Sequence, residues 1–76
     1  MAHKVLEQKE RQALVVEGLA RVPFDQRVVF VMHEMEGESV PEIARALGIS
    51  ENTCYSRLRL ARGRFTKAVR AISATR

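Results

Sequence analysis

The last third of the chain carries an apolar residue at every third or fourth position, which is the spacing of one face of an α-helix. The residues of this stripe are Cys54, Leu58, Ala61, Phe65, Val69 and Ile72. The stripe predicts one continuous helix of about 20 residues, buried along one side. Gly63 lies within it and is expected to weaken the helix locally, by about 1 kcal/mol.

A short helix with clear start and stop signals precedes the long one. Ser39 and Glu42 stand three positions apart, as in a capping box. Gly48 supplies the left-handed residue that ends many helices, and Ser50 is expected to be the N-cap of the long helix. These signals predict a helix over residues 40–47, separated from the next helix by a three-residue turn.

The short helix, the turn and the start of the long helix together predict a helix-turn-helix over about residues 39–60. Ala44 is small enough to let the two helices cross closely, and Ile49 is expected to point inward from the turn. Cys54 and Leu58 would fill the seam between the helices. In such a motif the first helix braces the second, whose exposed face enters the major groove of DNA.

Two further helices are predicted in the first half of the chain. Apolar residues recur among strong helix formers and predict a helix over residues 5–20, which ends before Pro23. These residues are Leu6, Ala13, Leu14, Val16 and Leu19. The apolar run at residues 28–32 could be a buried strand, but a lone strand leaves its backbone groups without partners. We therefore predict a helix over residues 24–36, ended by Gly37.

The chain of 76 residues has room for one domain over residues 1–76. The four helices predict an all-α fold, a four-helix domain with a C-terminal helix-turn-helix. Residues 1–3 are expected to fray or to come from an expression tag. No apolar run is long enough to span a membrane and no secretory signal is recognisable, so a cytoplasmic location is expected.

The residues that could carry other chemistry do not form a site. The single cysteine excludes an intramolecular disulfide and a cysteine-based metal site. His3 and His33 have no partner at metal-binding spacing, and His33 is expected at the rim of the second helix. The acids Glu34, Glu36 and Glu38 are interpreted as solvating a turn. With no nucleophile–base pair and no phosphate-binding glycine loop, we expect neither an enzyme, nor a cofactor, nor a small-molecule substrate.

Charge divides the chain into an acidic body and a basic end. Up to Glu51, nine acids outnumber six bases and give a net charge of −3, whereas from Asn52 onward seven bases stand without one acid and give +7. Such an asymmetry is typical of a protein that meets a polyanion. It favours binding to nucleic acid over a merely solvated helix face.

Helical phase separates the exposed residues of the long helix from its buried stripe, at about 100° per residue. Helix-turn-helix proteins usually read bases with the first part of this helix, so base contacts are expected from Tyr55, Ser56, Arg59 and Leu60. Phosphate contacts are expected from Arg57, Arg62 and Arg64. The full set of candidate DNA-binding residues is Thr53, Tyr55, Ser56, Arg57, Arg59, Leu60, Arg62, Arg64 and Lys67.

A series of short segments follows one family pattern in order and in register. The segments are residues 20–23 (ARVP), 27–30 (RVVF), 36–39 (EGES), 42–44 (EIA), 47–50 (LGIS), Thr53, 56–58 (SRL) and 61–62 (AR). They resemble region four of bacterial sigma factors, with the extracytoplasmic-function group as the nearest likeness, over roughly residues 10–70. The resemblance implies a domain that recognises double-stranded promoter DNA at the minus-thirty-five element. It also implies docking on the β-subunit flap of RNA polymerase and a possible anti-sigma factor partner.

The chain departs from the family pattern at two positions and in one larger respect. Cys54 stands where the family usually has a branched aliphatic residue, which keeps a small core side chain. Leu60 stands where arginine is frequent, and this leaves the promoter preference open. Region two, which melts the promoter in sigma factors, is not in this sequence. The chain is therefore expected to be an excised domain of a longer protein or a stand-alone regulator.

Two other functions remain compatible with the residues. The first is the output domain of a response regulator, which would bind a palindromic target as a dimer. The segment from Pro23 to Gly37 and the lack of a strongly apolar dimer face count against it. The second is a protein-interaction module whose basic helix meets an acidic partner or a membrane surface. Binding to anionic vesicles with no preference for duplex DNA would indicate that function.

Overall fold

The computed structural model describes the backbone of residues 2–75 and the side chains of residues 7–75. The side chains of His3 and Leu6, and the whole of Met1 and Arg76, lie outside that range. Four α-helices follow one another: α1 (Ala2–Ala20), α2 (Phe24–Phe30), α3 (Val40–Leu47) and α4 (Glu51–Ala74). No strand occurs in the described residues, so the predicted all-α, four-helix fold is confirmed.

The second predicted helix is α-helical only as far as Phe30. The chain then widens into a π-helical turn, Val31–Met35, which we call the π segment. Its last hydrogen bond runs from the Glu36 N–H to the Val31 carbonyl at 3.1 Å and spans five residues instead of four. Apolar spacing cannot predict such a turn, because the spacing assumes α-helical geometry throughout. Gly37, with a φ of 73°, ends the segment as predicted.

The predicted boundaries of the helix-turn-helix are confirmed. The Ser39 hydroxyl accepts from the Glu42 N–H at 3.3 Å and caps α3, although the Glu42 side chain does not return the second bond of a full capping box. Gly48 has a φ of 68° and closes α3. Ser50 caps α4 by accepting from the Thr53 N–H at 3.0 Å, and its hydroxyl donates to Thr53 Oγ1 at 2.9 Å. These caps fix where α4 begins and how it is aimed.

The inside of the helix-turn-helix is one cluster of buried side chains. The cluster comprises Val29, Val40, Ile43, Ala44, Cys54 and Leu58, with Met32 and Ile49 packed against it. Ile43 and Cys54 are wholly buried, and Ala44 is buried at the crossing, as expected. The seam between α3 and α4 is therefore filled by the predicted residues, which hold α4 firmly against its supporting helix.

A second cluster lies where α1 and α2 meet the middle of α4. It is formed by Val22, Phe30 and Ala61, with Leu19 and Phe65 against it. The rings of Phe30 and Phe65 pack in a tilted arrangement with centroids 5.1 Å apart. Phe65 and Val69, predicted to be buried, are only half-buried, and Ala68 is buried in their place. An apolar stripe drifts around a straight helix over several turns, so its later members turn partly toward solvent.

α1 lies close against α4 at Gly18, which is buried. A Cβ atom at this position would lie 3.0 Å from Val69 Cγ2 and 3.1 Å from Phe65 Cε1, so the helices could not pack this closely with a larger residue. Ala13 and Val16, which belong to the apolar pattern of α1, are instead exposed. None of the helices in the described range is long and apolar enough to cross a bilayer.

Candidate nucleic-acid interface

The nine candidate DNA-binding residues all lie on α4, outside the two buried clusters. Seven are exposed: Tyr55, Ser56, Arg59, Leu60, Arg62, Arg64 and Lys67. Leu60 is 43% exposed and places an apolar side chain among the charged ones. Thr53 and Arg57 are half-buried on the flank. The structure therefore presents the first three turns of α4 to solvent in the phase that the apolar stripe predicts.

Arg62 is tied to the π segment by an ion pair that the sequence did not reveal. Its Nε and Nη2 lie 2.8 and 2.7 Å from the same carboxylate oxygen of Glu34, Oε1. The pair uses one edge of the guanidinium and leaves the remaining N–H groups free to donate. Glu34, interpreted from the sequence as a residue that solvates a turn, is thus the partner of a candidate phosphate contact.

Arg57 has a similar but longer contact on the other flank of α4. Its Nε lies 3.7 Å from Oδ2 of Asp25, the second residue of α2. The side chain of Arg57 is 30% exposed, because it lies between α4 and α2. Two of the three predicted phosphate contacts, Arg57 and Arg62, therefore carry charges that carboxylates of the same chain already balance in part.

The remaining bases of the candidate set carry uncompensated charge. Arg59, Arg64 and Lys67 have no carboxylate within ion-pair distance among residues 7–75. Arg27, by contrast, is committed to the fold, since its Nε and Nη2 donate to the Val22 carbonyl at 3.2 and 2.9 Å. Within the candidate set, the free positive charge thus lies at Arg59 and, farther along α4, at Arg64 and Lys67.

An open groove of about 700 Å³ runs beside the first turns of α4, between that helix, the π segment and the start of α3. Its lining residues are His33, Ser39, Val40, Pro41, Tyr55, Ser56, Leu58, Arg59 and Arg62. His33 Nδ1 lies 2.8 Å from the Glu38 carbonyl, and this nitrogen must be the donor because a carbonyl oxygen only accepts. His33 was expected at the rim of the second helix, and sequence analysis assigned it no part in this surface. Within the described range, no group of side chains is arranged to hold a metal ion.

Cys54 lies beneath the candidate interface, in the buried cluster of the helix-turn-helix. The residue is wholly buried at the seam of the helix-turn-helix. Burial raises the pKa of its thiol above 9.0, and the nearby Glu51 adds to the rise while Arg57 opposes it. The neutral thiol acts as a small apolar plug beneath the exposed side of α4 that carries the candidate residues.

The chain matches the family model for sigma-70 region 4 over residues 12–65. It is 38% identical over 60 residues to an extracytoplasmic-function (ECF) RNA polymerase sigma factor, SigM, of Mycobacterium tuberculosis, in the Erdman strain and in strain H37Rv. The alignment covers 79% of this chain and 31% of each relative, so the chain spans about a third of the length of these curated relatives. No solved structure gives a significant match. The chain therefore belongs to the sigma-70 region 4 family and is a region 4 of the ECF type.

Proposed function

We propose that this chain is the promoter-recognition domain of an ECF sigma factor, which binds the minus-thirty-five element and thereby directs RNA polymerase to initiate transcription. The observation that carries the proposal is the exposed face of the first half of α4, which bears no acid after Glu51 and is held against α3, in a member of the sigma-70 region 4 family. α4 would lie in the major groove, with α3 bracing it across the backbone.

Base reading is assigned to the exposed residues at the start of α4. Tyr55, Ser56 and Arg59 offer hydrogen-bonding groups, and Leu60 offers an apolar contact for a thymine methyl. Arg59 is the strongest reader in this set, because its guanidinium has no partner among the described residues and can donate two bonds to guanine O6 and N7.

Phosphate contacts are assigned to the flanks and to the later turns of α4. Arg57, Arg62, Arg64 and Lys67 supply charge, and Thr53 lies at the N-terminal end of the helix. Such contacts fix the register of a protein on duplex DNA without reading its sequence. Arg57 and Arg62 would have to share their guanidinium groups between phosphate and their carboxylate partners, Asp25 and Glu34.

The polymerase contact is assigned to exposed apolar residues of α1 and α2. Val16 of α1 is 66% exposed and Phe24 of α2 is 73% exposed, so each offers apolar surface for a partner to cover. We propose the β-subunit flap as that partner and an anti-sigma factor as a competitor for the same surfaces. Phe24→Ser should weaken association with core polymerase and leave DNA affinity unchanged. Binding of core polymerase by Phe24→Ser with the same affinity as by the wild type would contradict this assignment.

In this role the domain acts in the cytoplasm, beside RNA polymerase, and requires no enzyme activity, cofactor, membrane or small-molecule substrate. The match to the sigma-70 region 4 family favours this function over a response-regulator output domain. The alternative of a basic helix that binds an acidic partner or a membrane makes a different prediction about DNA, which the following experiment tests.

The experiment is a salt titration of binding to a labelled duplex. The chain should neutralise three to five phosphates, so log K should fall against log[salt] with a slope of about −3 to −4.5. The isolated domain should bind in roughly the micromolar range at physiological salt, because it neutralises so few phosphates. An affinity for duplex DNA that does not change with salt would contradict the proposal. Binding to anionic vesicles as strong as binding to the duplex would contradict it too.

A further inference from the structure

A basic cleft lies outside the helix-turn-helix, where the end of α1 meets the later turns of α4. Its volume is about 450 Å³, and its lining residues are Arg21, Arg64, Lys67, Ala68 and Ala71. Arg21 directly follows the end of α1, and the other four residues form one face of α4. The cleft therefore brings one cation from the first part of the chain to two cations from the basic end.

The three cations of this cleft are uncompensated. None of them has a carboxylate within ion-pair distance in the described part of the chain, and no acid lines the cleft. In this they differ from Arg57 and Arg62, whose charges carboxylates balance in part. Like charges gathered on one surface repel, and a bound anion removes that repulsion. The alanines that form the wall leave room for the anion to approach.

The position of the cleft along α4 indicates which anion it meets. Arg64 and Lys67 follow Ser56 by eight and eleven residues, which is about 12 and 16 Å along a helix that rises 1.5 Å per residue. The major groove is about 12 Å wide. When the first turns of α4 reach base edges, these two residues therefore arrive at the rim of the groove, where the phosphates of the backbone stand.

We propose that the Arg21–Arg64–Lys67 cleft binds a phosphodiester of the DNA backbone at the rim of the major groove. The proposal rests on the function proposed above and adds α1, through Arg21, to the DNA-binding surface. An acidic protein segment is the other class of ligand that three cations can bind. DNA is favoured because Arg64 and Lys67 lie on the same continuous helix as the base-reading residues, at the distance that the groove requires.

The test compares Arg21→Gln with Arg11→Gln. The control makes the same charge change at an exposed residue of α1 that lies outside the cleft. Both side chains are exposed, so both variants should have the same melting temperature as the wild type. Loss of one phosphate contact should make the salt slope of Arg21→Gln less negative by about 0.9. A fourfold rise in salt should therefore lower the affinity of the wild type by a factor about 3.5 times larger than the factor for Arg21→Gln. Arg11→Gln and the charge-preserving Arg21→Lys should keep the wild-type slope.

A scan of the duplex with single neutral methylphosphonates locates the contact. Wild type should lose affinity at a phosphate flanking the base-read segment, and Arg21→Gln should be insensitive at that same phosphate. Identical slopes and scans for Arg21→Gln and Arg11→Gln would overturn the inference while leaving the proposed function intact. If Arg21→Gln bound DNA as the wild type does but no longer bound a polyglutamate peptide, the cleft would be assigned to a protein partner. That result would also overturn the inference. Absence of duplex binding by the wild type would instead overturn the proposed function.

Discussion

Arg62 of α4 and Glu34 of the π segment form the shortest ion pair between two different elements in the described part of the chain, at 2.7 Å. Both groups are partly exposed, so the pair itself stabilises the fold by about 1 kcal/mol at most. In the proposed function the pair bears on DNA binding, because a phosphate at this position would have to share the Arg62 guanidinium with a carboxylate. Glu34 thus lowers the electrostatic attraction of the interface for any anion.

Removing that carboxylate should strengthen binding to every duplex. Glu34→Gln frees the charge of Arg62, and the salt slope should become more negative by about 0.9 if one further phosphate is neutralised. Glu36→Gln is the matched control, since Glu36 directly follows the π segment, is exposed and makes no ion pair within the described range. Anisotropy titrations at several salt concentrations measure the affinity and the salt slope of both variants. Weaker binding by Glu34→Gln would show instead that the carboxylate positions Arg62 for DNA.

Two glycines of the helices should respond in opposite ways to alanine. Gly18→Ala places a Cβ within 3.0 Å of Val69 Cγ2, so it should cost about 1–3 kcal/mol through overpacking. Gly63 has no atom within 4 Å of an added Cβ, and Gly63→Ala should stabilise α4 by about 0.5–1 kcal/mol through helix propensity. Urea denaturation of the two variants gives both values. Stabilisation by Gly18→Ala would mean that α1 does not lie this close to α4.

Phe65 should behave as a core residue despite its partial exposure. It packs against Phe30 at 5.1 Å between ring centroids and contacts the helix at Gly18. Phe65→Ala should cost about 3 kcal/mol, at the lower end of the range for a buried phenylalanine. Arg57→Ala should cost about 1 kcal/mol or less, since it removes only a partly exposed ion pair. Thermal melts that reversed this order would contradict the orientation of α4.

The buried thiol of Cys54 should make part of the stability depend on pH. Burial raises its pKa above the ordinary value of 9.0, so the fold favours the protonated thiol. This contribution is complete below pH 9, the pKa in the unfolded chain, and is lost as pH rises through the pKa in the folded chain. The stability difference between wild type and Cys54→Ala should therefore shrink above about pH 9. A difference that stayed constant from pH 7 to pH 10.5 in urea denaturation would contradict this burial effect.

The helix-turn-helix was predictable because its signals are local. Ser39, Gly48 and Ser50 fix the ends of α3 and the start of α4 through bonds and dihedral angles that involve their near neighbours. The stripe through Cys54 and Leu58 gives the phase of α4, which then identifies its exposed face. Fold and candidate DNA-binding residues both followed from these short-range patterns.

The features that sequence analysis missed all depend on contacts between distant parts of the chain. Glu34 and Arg62 are 28 positions apart, and neither residue alone indicates the pair. The π segment departs from the α-helical geometry that apolar spacing assumes, and the burial of Phe65 depends on its packing against Phe30 of α2 and beside Gly18 of α1. The cleft between Arg21 and Lys67 likewise exists only once the helices have packed.

The central claim is that the first turns of α4 read bases, and Arg59 tests it most directly. A binding screen over randomised duplexes should be run on wild type, Arg59→Ala and Arg59→Lys. Arg59→Ala should lose about 1–3 kcal/mol on the preferred site, with discrimination relaxed at one base pair. Arg59→Lys should regain affinity but little discrimination, because an ammonium cannot donate the two parallel bonds of a guanidinium. A preference matrix for Arg59→Ala that overlays the wild-type matrix at every position would show that Arg59 reads no base.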